Sequence, residues 1–447
     1  MQLTALSFSA LLGYLQQAIA GIVDPRRPSN GTRYSLQDVV LGAFSCFFRQ
    51  SESFGEHQRQ LNSRCGRDNA PTLFGLQRIP TVEQMRNLLD RIAARHLFVV
   101  FEWIYRALNA QGYLRAFELL EHNLLVALDG TEDYRSQKIH CPCCSTRTHK
   151  DGKITYCHQA LLPDIVHPEP ASVISLPPEF ITPQDGCEKQ DCELNAAKRW
   201  VTSHAGLFEG QPVALLGDDL FGHQPMCQHS LDHQFNFLFV CLPQSHPSLY
   251  EWLDFLSANG DLKTTQQRRW HGRYFEVWHY RYRNQVPLRD EQPALLVNWF
   301  ELKVIRESDG EQLDLHSWMT NHDLTPQRLF QLGPAGRSRW KTENENHNVL
   351  KTRGYHLEHN FGHGQRHLAM VLLTLNLLAF LFHTVLEWVD EPYQRARAQR
   401  GTRKGFFQDL LSLTKYLLFE NWQHLLDFLL DDSEPRRAPY RDRANTS

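Results

Sequence analysis

From the N-terminus to about residue 118, apolar residues recur at helical spacing. The stretch YSLQDVVLGAFSCFF opens with Ser35 and Asp38 at capping-box spacing and continues with apolar residues around the helix. IPTVEQMRNLLDRI repeats that grammar, with Thr81 and Gln84 as the box and Met85, Leu88, Leu89 and Ile92 as one face. Between them, NSRCGRDNAPTL predicts a loop. The texture then changes. NLLVALDG is a short, uninterrupted apolar run ending at Asp129 and a glycine, the pattern of a buried central strand. PVALLGDDLFGHQP repeats it and delivers Asp218 and Asp219 before a turn. ASVISLPP predicts another strand, and QDCELNAAKRWVTSH a helix. From about 235 to 306, the segments FNFLFVCLP, GRYFEVWHYRYRN and ALLVNWFELKVI are aromatic and β-branched with turn residues between them, which predicts strands. Beyond 337 the helical period returns and lasts to about 430, and SEPRRAPYRDRANTS reads as a disordered basic tail.

The longest apolar run, LAMVLLTLNLLAFLF (Leu368 to Phe382), falls short of the roughly 18 residues a membrane span needs. Asn376 and His383 interrupt it as well, so a buried core helix is expected and no membrane partner. A chain of 447 residues is too long for one ordinary core, so two or three domains are expected. A formal net charge of −3 gives no overall nucleic-acid signature, so any polyanion site must come from local clustering. MQLTALSFSALLGYLQQ lacks a basic leader and a clear cleavage site, which argues against a signal peptide and for a cytoplasmic protein. The cysteines are then expected to be reduced rather than a disulfide scaffold.

Two buried strands that each end in aspartate point to a site at the carboxyl ends of a sheet. A glutamate on a later helix facing both would complete a cage of hard oxygen ligands suited to Mg²⁺ or Mn²⁺. The stretch SRWKTENENHNVLKTRGYHLEHN offers Glu343, Glu345 and Glu358. With about 100° per residue in an α-helix, Arg339 lies roughly 40° from Glu343, and Lys351 lies about 80° from Glu343 but about 120° from Glu345. Helical geometry therefore favours Glu343 modestly.

LDGTEDY, LLGDDLF and RWKTENENHNVLK…GYHLEHNFGHG, in that order, resemble the three blocks of an insertion-sequence transposase of the Asp-Asp-Glu type. The resemblance covers roughly residues 120 to 390. It implies an α/β fold: a ribonuclease-H-like core, a β-rich insertion before the catalytic glutamate, and helical regions on both sides. The domains expected are a helical, DNA-end-binding region over 1–118, the first part of the core over 119–234, the insertion over 235–330, the catalytic helix and remaining core over 331–390, and a C-terminal helical region with the basic tail over 391–447. The matching positions are Asp129, Asp218 and Glu343, with Arg339 and Lys351 as supporting basic residues. Asp218 is preferred over Asp219 because the family's second aspartate precedes an aromatic by three positions, here Phe221. Gly336 stands where the family motif often has a tyrosine. The implied activity is cleavage at transposon ends and joining of the freed 3′-hydroxyl to target DNA, with two Mg²⁺ or Mn²⁺ ions and a working homodimer. The rivals are a metal-dependent nuclease on the same core and a catalytically silent DNA-binding derivative.

KTTQQRRWHGRYFEVWHYRYRNQVPLR supplies the DNA-contact candidates Arg268, Arg269, Trp270, Arg273, Arg281 and Arg283. Strand alternation puts Tyr274, Trp278, Tyr280 and Tyr282 on one face, and a half-buried sheet with a solvated basic face explains the pattern equally well. A second basic run, Arg395 to Lys404, is expected to be exposed. HCPCCSTRTHKDGKITYCHQ holds Cys141 and Cys144 as CxxC, which with His149 and the distant Cys192 would make a structural Zn²⁺ site. Unliganded reduced cysteines are the alternative, with His140, Cys143, Cys157, His158 and Cys187 as competing ligands.

Overall fold

The computed structural model describes residues 6–27, 32–183 and 191–431. The expected basic tail and Cys187 lie outside the described residues. Six helices come first: α1 (Phe8–Ala20), α2 (Leu36–Phe48), α3 (Phe54–Leu61), α4 (Arg64–Phe74), α5 (Val82–Leu89) and α6 (Phe98–Ala110). The Ser35–Asp38 capping box forms at α2, and Thr81 caps α5, whose Met85, Leu88 and Leu89 are buried. The loop expected over NSRCGRDNAPTL is instead mostly α4, capped by Ser63 and containing Pro71. Tertiary contacts override the weak local signal there. Buried Asn69 donates to the Thr414 and Leu417 carbonyls and accepts from the Phe419 amide.

The sheet region opens with β1 (Glu118–Leu119) beside β2 (Asn123–Ala127). Next come β3 (Gly130–Ser136), β4 (Ser145–Thr148) and β5 (Ile154–Leu161), which with β8 (Glu179–Ile181) form a separate four-stranded antiparallel sheet. The strands β6 (Asp164–Val166) and β7 (Ile174–Ser175) return to the main sheet, followed after α7 (Glu193–His204) by β9 (Val213–Gly217). After α8 (Gln224–Asp232), β10 (Asn236–Val240) completes a central order β7-β6-β2-β9-β10. In it β9 and β10 run parallel to β2, while β6 opposes β2 and β7 opposes β6. Every residue of β2 and β9 is buried, as continuous apolar runs in a covered parallel sheet should be.

Helix α9 (Pro247–Ala258) leads to the long strands β11 (Lys263–Trp270), β12 (Phe275–Pro287), β13 (Leu296–Arg306) and β14 (Gln312–Thr320). This antiparallel meander is not a detached sheet: β14 pairs with β10, making one ten-stranded sheet with the centre. The segment FNFLFVCLP, grouped by sequence with the insertion, supplies the central β10. The chain then forms α10 (Pro326–Arg337), a π-helical turn at Thr342–His347, α11 (Asn348–Thr352) and α12 (Leu368–Val389). It ends in α13 (Glu391–Gln399), α14 (Arg403–Tyr416) and α15 (Trp422–Leu430).

Helix α12 runs 22 residues, longer than the apolar run suggested and long enough by length and composition to cross a membrane. It is instead buried on nearly all sides, packing on α2, α13 and β7 as a core helix does. Phe8 of α1 stacks on Trp422 of α15 with ring centroids 4.5 Å apart, so the first and last helices share one core.

Candidate acidic site and Cys/His cluster

The parallel register pairs Ala127 of β2 with Leu216 of β9, so both strands deliver their aspartates at the same level of the sheet. Asp129 sits beyond β2, where its carbonyl accepts from the Leu162 amide, and Asp218 sits beyond β9. Burial pushes the Asp129 carboxyl up to about 6; Arg339 opposes the shift, and the negative charges of Asp218 and Glu343 add to it. Asp218 and Glu343 are thus both close enough to Asp129 to act on it. Arg339 Nη1 lies 3.6 Å from one Asp129 oxygen, and His347 Nδ1 lies 3.4 Å from the other. His347 is held down to about 4 by burial and by Lys351, so it is neutral at pH 7.

Asp219 has other work. One of its oxygens accepts from the Leu242 amide at 2.7 Å and lies 3.4 Å from His246 Nε2, tying the end of β9 to the loop after β10. The two candidate glutamates are also separated, though not by the α-helical projection. Helix α10 stops at Arg337, and the π-helical turn, with its i→i+5 hydrogen bonding, intervenes before α11. The charge of Glu343 acts on Asp129, whereas that of Glu345 acts on Lys341. Lys341 is pinned by its own bonds to the Pro168 and Pro170 carbonyls. Arg339 reaches Asp129, and Lys351 reaches Glu358 at 3.5 Å, which gives Glu358 a partner outside the acidic group.

Two further acids surround the site without having been expected from sequence. Glu193, in the first turn of α7, is pushed up to about 7 by burial and then by Asp129 and Asp218, while the Gly130 amide bonds to it. A Cβ at Gly130 would lie 2.7 Å from the Glu193 carboxyl carbon, so a glycine is needed for this approach. Asp164 of β6 is fully buried, and its Oδ1 accepts from Ser175 Oγ at 2.8 Å and Asn346 Nδ2 at 2.6 Å. Asn346 also donates to Ser175 at 2.9 Å, so this network anchors the π-helical turn to β6 and β7. A first-turn glutamate and a strand aspartate are common in structural roles, and no sequence signal marks either. Gly336 has a local reason as well: a Cβ there would lie 2.5 Å from the Trp318 ring, which leaves no room for a tyrosine. The donor set is all carboxylate oxygen, and the charges of its neighbours raise the proton affinity of Asp129 and of Glu193. That chemistry fits a hard divalent cation such as Mg²⁺ or Mn²⁺.

The basic candidates on the meander are mostly engaged. Arg268 bonds to Glu307 at 2.8 Å over the Phe275 ring, and Arg281 bonds to Glu301 at 2.9 Å. Arg269 donates to the Phe330 carbonyl with its guanidinium over Trp278, and Arg283 donates to the Asp261 carbonyl. Arg273 is exposed, and Trp270 is 58% exposed beside the β11–β12 turn. Trp278, Tyr280 and Tyr282 share one face as expected, but that face is buried; Tyr280 packs against Phe330 of α10, so these rings are core rather than base-stacking platforms. The second basic run is not a free surface either. Arg397 and Arg403 both reach Glu387, Arg403 donates to the Tyr355 hydroxyl, and Arg400 pairs with Asp409. Arg395 and Lys404 remain exposed.

The Cys/His cluster forms with a different membership from the expected one. Cys141 and Cys144 are joined by His158 and His363, and the four ligand atoms lie within 4.8 Å of one another. His149 instead bonds to Thr155 Oγ1 at 2.7 Å, and Cys192 is the exposed N-cap of α7, so neither joins the cluster. His158 was among the competing ligands in sequence. His363 lies 219 residues from Cys144, and no spacing rule could have found it. No protein-family model matches this chain, and no curated protein matches it in sequence.

Proposed function

We propose that the protein is a DNA transposase that cleaves phosphodiester bonds at transposon ends and joins the 3′-hydroxyl to target DNA. The observation that carries this reading is that two acids from separate elements, Asp218 and Glu343, both act electrostatically on the Asp129 carboxyl, which Arg339 also reaches. Asp129 and Asp218 come from adjacent parallel strands, and Glu343 from a turn preceding a helix. The central order β7-β6-β2-β9-β10, three strands antiparallel and two added parallel, supports a ribonuclease-H-like core, and the meander before Glu343 supports the inserted β region. Asp129, Asp218 and Glu343 would hold Mg²⁺ or Mn²⁺, with Glu193 beside them. When bound, such ions supply activation of the attacking oxygen and stabilisation of the leaving one in an in-line displacement.

The chain's own groups define the rest. Arg339 holds the Asp129 carboxylate and offers its remaining donors to a phosphate oxygen at the same spot. Neutral His347 orients the other Asp129 oxygen without adding a competing charge. The Asp164–Ser175–Asn346 network fixes the turn carrying Glu343. A homodimer synapsing two ends follows from the same reading.

The test is incubation with the element's end DNA, a target plasmid and Mg²⁺ or Mn²⁺. Joined products are expected. Cleavage without joining would make the protein a nuclease, and binding without cleavage would sink the enzymatic reading. Glu343→Gln should abolish both steps and Glu345→Gln should retain them; activity surviving in Glu343→Gln overturns the assignment.

A further inference from the structure

The loop between β3 and β4 brings Cys141 and Cys144 together in a tight turn, in which the Cys144 amide bonds to the Cys141 carbonyl at 3.1 Å. The Cys141 amide in turn points at Cys144 Sγ, at 3.4 Å. His158 projects from β5, and His363 comes from the loop between α11 and α12. All four side chains are buried. Cys141 Sγ lies 3.9 Å from Cys144 Sγ and 3.3 Å from His158 Nε2, and Cys144 Sγ lies 3.6 Å from His363 Nε2. A tetrahedron with Zn–S bonds of about 2.3 Å and Zn–N bonds of about 2.0–2.1 Å has edges of about 3.8 Å between sulfurs and about 3.6 Å between sulfur and nitrogen. These three separations are those edges to within a few tenths of an ångström, and all the ligand atoms lie within 4.8 Å of one another.

Hydrogen bonding alone accounts poorly for this grouping. A thiol is a weak donor and acceptor, so two imidazole nitrogens buried against thiols gain little from each other. A disulfide does not account for it either, because the sulfurs are far beyond the bonded distance of about 2.05 Å. Four soft or borderline ligands, buried and closed to solvent, match a structural site rather than a catalytic one.

We propose that Cys141, Cys144, His158 and His363 bind one Zn²⁺ ion that clasps the loop following the Glu343 turn onto the small β-sheet that begins at Gly130. The loop has a second anchor, which makes the role specific. The amides of Gln365, Arg366, His367 and Leu368 all converge on the Asp90 carboxylate, and Arg86 donates to the Phe361 carbonyl. On the small-sheet side the loop meets the Tyr134 ring through His363 and takes a weak bond from Cys143 Sγ at the Arg366 carbonyl, and the metal adds a strong attachment there, to the segment that follows Asp129. It therefore fixes the separation between the chain segments that carry the first and third acids. The metal site itself stands without the transposase reading; only its service to the acidic site rests on that reading.

The test uses the full-length protein without DNA, so its failure and the failure of strand transfer are separate results. Elemental analysis of protein purified without added metal is expected to give one zinc per chain. Exchange with Co²⁺ should produce the visible absorption of a tetrahedral thiolate site. His363→Ala should lose the zinc and speed hydrogen exchange in the 353–367 loop, whereas His363→Cys, which restores a ligand, should retain both zinc and protection. His149→Ala, Cys192→Ser and Cys143→Ser should keep the metal. Zinc-free protein, iron in place of zinc, or zinc lost from His149→Ala or Cys192→Ser would overturn the assignment. Retention of full zinc in both His363→Ala and His158→Ala would do so too.

Discussion

Glu193 is the residue whose protonation should be easiest to read. Its carboxyl is raised from 4.5 to about 7, with burial as the main cause and the neighbouring aspartates next. The folded protein therefore holds this proton more tightly than the unfolded chain does. The resulting stability is complete below about pH 4.5 and is lost as the pH rises through about 7. Glu193→Gln removes the ionisation while keeping an acceptor for the Gly130 amide. In the absence of divalent cations it should stabilise the protein at pH 8, by on the order of 1 kcal/mol after allowing for partial exposure, and do little at pH 4. Thermal melts of both proteins at the two pH values check this; equal effects at both would show that Glu193 is not charged against its neighbours. At this same scale Asp129 and Asp218 were legible in sequence, because each follows an unbroken apolar run, which marks the end of a buried strand. Glu193 and Asp164 were not legible, because their significance lies in which residues fold against them.

Among the elements, the π-helical turn departs from the α-helical projection drawn from the sequence. An α-helical wheel assumes an unbroken helix from Arg339 to Lys351, and the chain instead changes its winding twice in that interval. What separates the two glutamates in the fold is that the charge of Glu343 acts on Asp129 and that of Glu345 on Lys341, while Asn346 anchors the turn on Asp164 and Ser175. Asn346→Ala should cost about 1–3 kcal/mol, since it leaves a buried carboxyl short of a partner. It should also lower any metal-dependent cleavage more than denaturation alone explains, as measured by rate per folded molecule. Asp164→Asn keeps a polar group in the same network and should be the milder change. Gly336→Tyr, which introduces the residue common in the transposase motif that the sequence resembles, should instead destabilise by at least about 1–3 kcal/mol through collision with Trp318. The small sheet of β3, β4, β5 and β8 was invisible in sequence because its strands mix charged, polar and apolar residues without the long apolar runs of β2 and β9. Strands β12 and β13 were plain from their aromatic and β-branched runs, β14 lies beyond the segment read as strands, and the aromatic face belongs to α10 and not to a ligand.

Across the whole molecule, the boundaries drawn along the chain do not coincide with its cores. The region before residue 118 and the region after 391 form a joint helical layer: Arg49 donates to Thr414, Asn69 holds the 414–419 segment, and Trp422 packs on Phe8 and Phe48. Sequence periodicity located the helices at both ends, but periodicity carries no information about which distant faces meet. Trp422→Ala should cost about 3–5 kcal/mol, and limited proteolysis should then cut in α1 and α4 as readily as in α15. Cleavage confined to the C-terminal helix would show the two ends to be independent.

The stacking of Phe8 on Trp422 also sets an order of events during synthesis. A ribosome releases α1 more than four hundred residues before the helix that covers it, at a pace of about 5–20 residues per second. The early helices α5 and α6 soon pack on α2 and α1, but for tens of seconds the Phe8 and Phe48 rings lack the Trp422 ring that finally covers them. The acidic site would therefore be assembled on a scaffold that stays open until translation is nearly finished.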